Sequence, residues 1–238
     1  MLKRFKEKNY LYYKYTVMTK IQKITIYGER CSGTNYLETL LAKNFHDYKL
    51  TWKYGWKHFF GHENLENSDD TLFICIVRNP VDWINSLYRD KYHIADHLRL
   101  SIENFLNKEF YSYRDNFSDL NDGTEIMEDR NIYTGERYKN IFELRHTKLN
   151  FLYKDLPKLV KNYIFIKHED LINNFKKTMI KIKNKGLIVK PNIYSPLNVF
   201  TYKKSKKIFK KKSNEVTEEL ILNHPDFRKD YEQILGYI

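Results

Sequence analysis

The residues best suited to chemistry form the run Gly28-Glu29-Arg30-Cys31-Ser32-Gly33-Thr34-Asn35. Two glycines separated in this way, followed by a hydroxyl residue, let bare backbone N–H groups and a helix N-terminus converge on an anion. Thr34 stands where a nucleoside triphosphatase carries the lysine for its β and γ phosphates, so the loop suits a phosphate but not ATP hydrolysis. The run also fits an ordinary strand-to-helix turn with Ser32 or Thr34 as cap. A second candidate pair is Arg78 and Ser86, about two helical turns apart. A third lies in the aromatic segment 54–62, where Lys57 could stabilise a negative oxygen, as could Arg30, and His58 could take a proton near neutral pH. His62 and Glu29 are rivals for the proton, and a packed aromatic edge is the other reading of the segment.

These residues need elements to hold them. Residues 24–27 alternate and are β-branched, which predicts a strand. Leu37, Leu40, Leu41 and Phe45 then share one face of a helix. A short strand is expected over 48–52. The continuous apolar run 72–77 reads as a central parallel strand buried on both faces, followed by Asn79 as cap and Pro80 as first residue of a helix facing inward with Val81, Ile84 and Tyr88. From 92 to 140 the chain is polar and irregular, with one helix near 101–110 and a stretch, 116–138, long enough to be a lid or disordered. Residues 141–153 are helical and 163–167 a strand. Asp170 then caps a helix facing inward with Leu171, Phe175, Met179 and Ile182 and ending at Gly186, and two short helices are expected before Tyr237. Strands alternating with helices predict an α/β fold of three layers, α/β/α, around a central parallel sheet. In an open sheet of this kind the strand C-terminal ends line one crevice, so a ligand gripped by the first loop could also reach Arg78.

Composition limits the classes of function. The 238 residues suffice for one domain, expected over 21–238 behind a basic, Tyr-rich lead-in at 1–20. With 42% hydrophobic residues and 20 tyrosines the chain is a folded one. A net charge of +12 favours an anionic partner: nucleic acid, a membrane surface or a phosphorylated cofactor. Part of that charge follows a bias to Lys, Asn, Ile and Tyr that an AT-rich genome would impose. Cys31 and Cys75 make no disulfide framework, and Cys75 lies in an apolar run that suits the core. No apolar run reaches membrane-span length and the N-terminus lacks a signal-like core, so a cytoplasmic protein is expected. Seven lysines fall within 203–212, a solvated face or a polyanion patch by charge alone. No Cys/His spacing suggests a metal.

Taken together these motifs resemble the sulfotransferases that use 3′-phosphoadenosine 5′-phosphosulfate. The GxRxxGT loop at Gly28 is similar to that family's 5′-phosphosulfate loop, and Arg78 with Ser86 to its 3′-phosphate motif. Lys167-His168-Glu169-Asp170-Leu171 resembles its strand-ending signature, and Ile234-Leu235-Gly236-Tyr237 its usual end. The matches run in order over about 22–238. The resemblance implies transfer of a sulfuryl group to a hydroxyl or amine on a sugar, peptide tyrosine or small phenol, without metal, leaving 3′,5′-adenosine bisphosphate. It implies that Arg30, Cys31, Ser32, Gly33, Thr34 and Asn35 hold the 5′ phosphosulfate and Arg78 and Ser86 the 3′ phosphate. Lys203 and Lys204 would close over the nucleotide, which makes a small donor a better partner than nucleic acid. Cys31 departs from the pattern, standing where many members carry a lysine thought to assist the bridging oxygen. The alternatives are a P-loop kinase, weakened by Thr34 and by the lack of an Asp after 72–77, and a catalytically inactive nucleotide or polyanion binder.

Overall fold

The computed structural model describes residues 20–61, 64–90, 93–114, 124–191, 194, 196–197, 199–202, 205–208 and 213–238. Four parallel strands form the central sheet in the order β3-β1-β6-β7. They are β1 (Lys23–Tyr27), β3 (Lys49–Leu50), β6 (Thr71–Val77) and β7 (Asn162–Lys167), and each neighbouring pair runs in parallel register. β6 is buried at every position because it has strands on both edges and side-chain layers on both faces.

Alternation along β6 assigns the layers. Leu72, Ile74 and Ile76 point into a core with Ile24, Ile26, Ile164 and Ile166, covered by α1 (Thr34–Asn44), α6 (His168–Asn173) and α7 (Phe175–Lys183) through Leu37, Leu40, Leu171, Met179 and Ile182. Phe73, Cys75 and Val77 point the other way, with Tyr27, onto Phe60 and onto Leu149, Leu152 and Leu156 of the continuous helical stretch α4 (Ile141–Asn150), a wider π turn (Phe151–Asp155) and α5 (Leu156–Leu159). The α/β layering and parallel sheet read from the sequence are therefore present, as is the buried Cys75. A third apolar cluster joins α2 (Pro80–Asp90), α3 (Ile102–Asn107) and the C-terminal α8 (Glu218–Leu222) beyond the sheet. The last helix is α9 (Lys229–Ile234).

Three expectations change in detail. Phe45 lies just past α1, in the short strand β2 (Phe45–His46), which pairs with β8 (Ile188–Val189). The helix expected over 171–186 is broken at Asn174, so two helices share the inward face. Asp170 does not cap: α6 begins at His168, directly on the strand, and Asp170 is already within it. Two antiparallel hairpins add to the fold, β4 (Gly55–Trp56) with β5 (Phe59–Phe60), and β9 (Val199–Tyr202) with β10 (Ser205–Ile208). No helix among the described residues is long and apolar enough to cross a membrane.

Candidate active site at the sheet's C-terminal edge

β1 and β6 lie side by side and their chains leave in different directions, which opens a crevice at their C-terminal ends. Gly28 is the first residue beyond β1. A Cβ there would lie 2.6 Å from the Ile76 carbonyl oxygen and 2.7 Å from Ser32 Oγ, so only glycine lets the loop pass this close to β6. The turn is closed by Ser32 N–H and Oγ–H, both donating to the Glu29 carbonyl, at 3.1 and 2.5 Å. Cys31 (φ 64°) and Gly33 (φ 99°) are both left-handed, a reversal that swings successive amides toward one point. At Gly33 a side chain would also run into the His168 ring. α1 starts immediately afterwards, with Leu37 N–H the donor to Gly33 O at 3.0 Å and no acidic residue in the first turn. The amides of Thr34, Asn35 and Tyr36 precede that first intrahelical bond, and the positive end of the helix dipole lies over the loop.

Arg78 and Ser86 come to the same loop. Arg78 follows β6, and its Nη1 donates to the Cys31 carbonyl at 3.1 Å. Its Nε is buried and has no hydrogen-bond partner among the described residues. Ser86, on α2, meets the Cys31 thiol, with Asp90 Oδ2 3.9 Å from the sulfur. Burial, then the Asp90 charge, pushes that thiol up to about 12, so Cys31 is a neutral SH group at pH 7. A cavity of about 20 Å³ beneath the loop, bordered by Ser32, Arg78, Trp83 and Lys148, has room for about one water.

Lys57 and His58 form the two-residue turn between β4 and β5. Lys57 Nζ donates to Asn35 Oδ1 at 2.5 Å and to Glu38 Oε1 at 2.8 Å, which sets an ammonium at the start of α1. His58 turns the other way. Its ring is buried, its Nδ1 lies 2.7 Å from the Gly28 carbonyl, and its edge meets Trp56. Because a carbonyl only accepts, Nδ1 carries the proton. Burial lowers the imidazole to about 3, only partly offset by Glu29, so His58 is a neutral ring that anchors the loop. His58, expected from the sequence to be the acceptor base in the crevice, is instead turned to the Gly28 carbonyl.

Arg30 is corrected more sharply. Its side chain leaves the crevice and is buried, donating to Glu29 Oε1 (2.8 Å), Asp129 Oδ2 (3.0 Å), Ser112 Oγ (2.9 Å) and the His93 carbonyl (3.0 Å). Lys148 of α4 completes the cluster, bonding Glu29, Asp129 and the His58 carbonyl. Two cations and two carboxylates thus lock together under the loop, and Glu29, held well below the usual carboxylate range, is no spare base. Trp83 Nε1 fixes the Arg30 carbonyl at 2.8 Å. Sequence reasoning missed Lys148, Asp129, Arg145 and His168. Arg145 and Lys148 did carry a signal, because they interrupt the apolar stripe of Leu144, Leu149 and Leu152. His168 is buried between Gly33 and Arg78, and burial with the Arg78 charge lowers it to about 3. His62, Lys203 and Lys204 lie outside the described residues, as does most of the basic segment 203–212. β9 packs beside α1, and Tyr36 Oη–H donates to the Leu197 carbonyl at 3.4 Å, so the hairpin bordering that segment adjoins the helix that rises from the loop.

No protein family matches the sequence and no curated protein matches it. Among solved structures, a mouse sulfotransferase, SULT7A1, complexed with PAP, matches over 70% of this chain and 59% of that one, at 16% identity and a TM-score of 0.36. This chain thus spans about three-fifths of the length of that structure.

Proposed function

We propose that this protein moves a sulfuryl group from 3′-phosphoadenosine 5′-phosphosulfate to a hydroxyl or amine acceptor. The observation that carries the reading is the meeting of Arg78 and Ser86 at Cys31, the outer bend of the loop 28–35. One anion site made of amides thereby acquires a second, cationic one beside it, which suits a nucleotide phosphorylated at both ends. In this reading Ser32, Gly33, Thr34 and Asn35 cradle the 5′ phosphosulfate through backbone amides, and Arg78 and Ser86 take the 3′ phosphate. Lys203 and Lys204, outside the described residues, would add positive charge for the nucleotide.

Lys57 is the cation for the bridging oxygen, since its ammonium already touches Asn35 while Arg30 is locked away. Transfer of this type is in-line, the acceptor oxygen or nitrogen bonding to sulfur as the bond from sulfur to the bridging oxygen breaks and the acceptor's proton passes to solvent. Most of the catalysis then comes from positioning and charge stabilisation, by analogy with phosphoryl transfer. His58 contributes by holding Gly28, with only weak basicity to offer. A second reading, a nucleotide binder without turnover, is favoured by one observation, that Cys31 brings no cation to the loop. The test is to incubate the protein with labelled donor and a panel of sugars, tyrosine peptides and phenols. Label on an acceptor together with released 3′,5′-adenosine bisphosphate supports the transferase. Tight binding with no transfer over the panel supports the binder.

A further inference from the structure

We infer that the C-terminal segment 213–238 is a clamp whose side chains and backbone position Arg78 and Ser86 without touching the ligand. The inference rests on the reading above, in which those two residues take the 3′ phosphate. Arg78 sits in the bend between β6 and α2, and the two main-chain polar groups that fix this bend are both held from the C-terminus through an intermediary. The Arg78 carbonyl accepts from Arg145 Nη2 at 3.0 Å, and Arg145 is in turn gripped in a fork by Glu232, at 2.5 Å from Nε and 2.8 Å from Nη2. The next amide, Asn79 N–H, donates to Glu169 Oε1 at 2.8 Å, while Glu169 Oε2 accepts from Tyr237 Oη–H at 3.0 Å. Arg145 and Glu232 are 6% and 2% exposed, so their fork is a rigid, desolvated one.

Ser86 is treated in the same way. Its neighbour Asn85 is fully buried and locks onto the bend before α8, accepting from Glu215 and Val216 N–H and donating to the Val216 carbonyl, each at 2.8 Å. One turn along α2, Arg89 Nη1 donates to the Ser213 carbonyl at 2.9 Å. Lys167 Nζ, at the end of β7, holds the Leu235 carbonyl at 2.9 Å and so secures the last turn of the clamp. Thus the terminal 26 or so residues grip both halves of the proposed 3′-phosphate site by groups one residue away from each ligand-bearing side chain. A guanidinium and a hydroxyl on separate elements need such common support to stay at a fixed spacing, and a partner that holds both supplies it.

The test compares affinities for 3′,5′-adenosine bisphosphate and adenosine 5′-phosphate by calorimetry in the wild type, Tyr237→Phe and Lys167→Met, with a thermal melt of each. Tyr237→Phe keeps the ring and deletes one hydroxyl, and Lys167→Met keeps the stem and releases the last turn, so one remains informative if the other fails to fold. The expected result is a bisphosphate preference reduced roughly 2- to 30-fold, with adenosine 5′-phosphate affinity nearly unchanged. A preference that survives in both folded variants, or two affinities that fall together with the melting temperature, overturns the clamp and makes the segment merely structural. A wild type that binds the two nucleotides equally overturns the donor reading itself, and the clamp with it.

Discussion

Two arginines follow two adjacent parallel strands, and the molecule uses them in opposite ways. Arg30 has four hydrogen-bond partners, two of them carboxylates, and is 4% exposed. Arg78 donates to one carbonyl and leaves a buried Nε without a partner among the described residues. Proximity to the loop 28–35 therefore does not decide which cation is free to meet an anion. The number of internal partners does, since a guanidinium with at least four of its five N–H donors engaged has little left to offer an anion and a costly network to break if it moves. The contrast extends to the lysines: Lys148 is sealed with Arg30, whereas Lys57 reaches the loop's helix.

The largest effect should come from breaking the sealed side. Arg30→Met leaves Glu29 and Asp129 short of a buried partner, and should destabilise the fold by about 3–5 kcal/mol in urea unfolding. A loss under about 1 kcal/mol would mean that the cluster is wet and weak. On the open side, Lys57→Met should leave nucleotide affinity almost intact while turnover falls about 10²- to 10³-fold. Equal losses in binding and turnover would assign Lys57 to simple ground-state attraction. Arg78→Ala should remove a charge-assisted contact of about 1.5–3 kcal/mol, erasing the preference for 3′,5′-adenosine bisphosphate over adenosine 5′-phosphate. If calorimetry shows that preference intact in the variant, another cation holds the 3′ group.

A separate effect is expected on acid stability. His58 and His168 flank the loop, and burial lowers each to about 3, well below the ordinary histidine value. Between that value and about 6.5 the unfolded chain binds protons that the folded one refuses, so folding stability is full above about pH 6.5 and declines as pH falls, by up to about 1.4 kcal/mol per pH unit for each ring. His168→Gln should flatten part of that slope in denaturant titrations at pH 4.5–6.5, and an unchanged slope would place the titration elsewhere.

What could be read in the sequence is what depends on neighbours along the chain. The apolar run of β6, the Asn79-Pro80 start of α2 and the glycines of the loop each declare themselves within a few residues. Asn79 Oδ1 does accept from Val81 and Asp82 N–H, at 2.9 and 3.3 Å. The role of Arg30 could not be read this way, because its decisive partner Asp129 lies 99 residues away and Lys148 reaches Glu29 across 119. Asp170 and Glu169 show the same limit: Asp170 is the cap expected from the sequence, yet it is Glu169 that satisfies an amide, that of Asn79 just before α2 and 90 residues away. The break at Asn174 and the π turn after α4 likewise answer to packing on the sheet, which periodicity within one helix does not record.

The Cys31 thiol also bears on how the loop withstands a reactive environment. Only the ionised sulfur attacks electrophiles and peroxides, and burial with the Asp90 charge holds the Cys31 thiol in its protonated form. A nucleophile suppressed in this way should react more slowly with alkylating reagents and mild oxidants than an ordinary surface cysteine. The loop can thus keep a sulfur at its outer bend, beside Arg78, without turning its own mouth into a target.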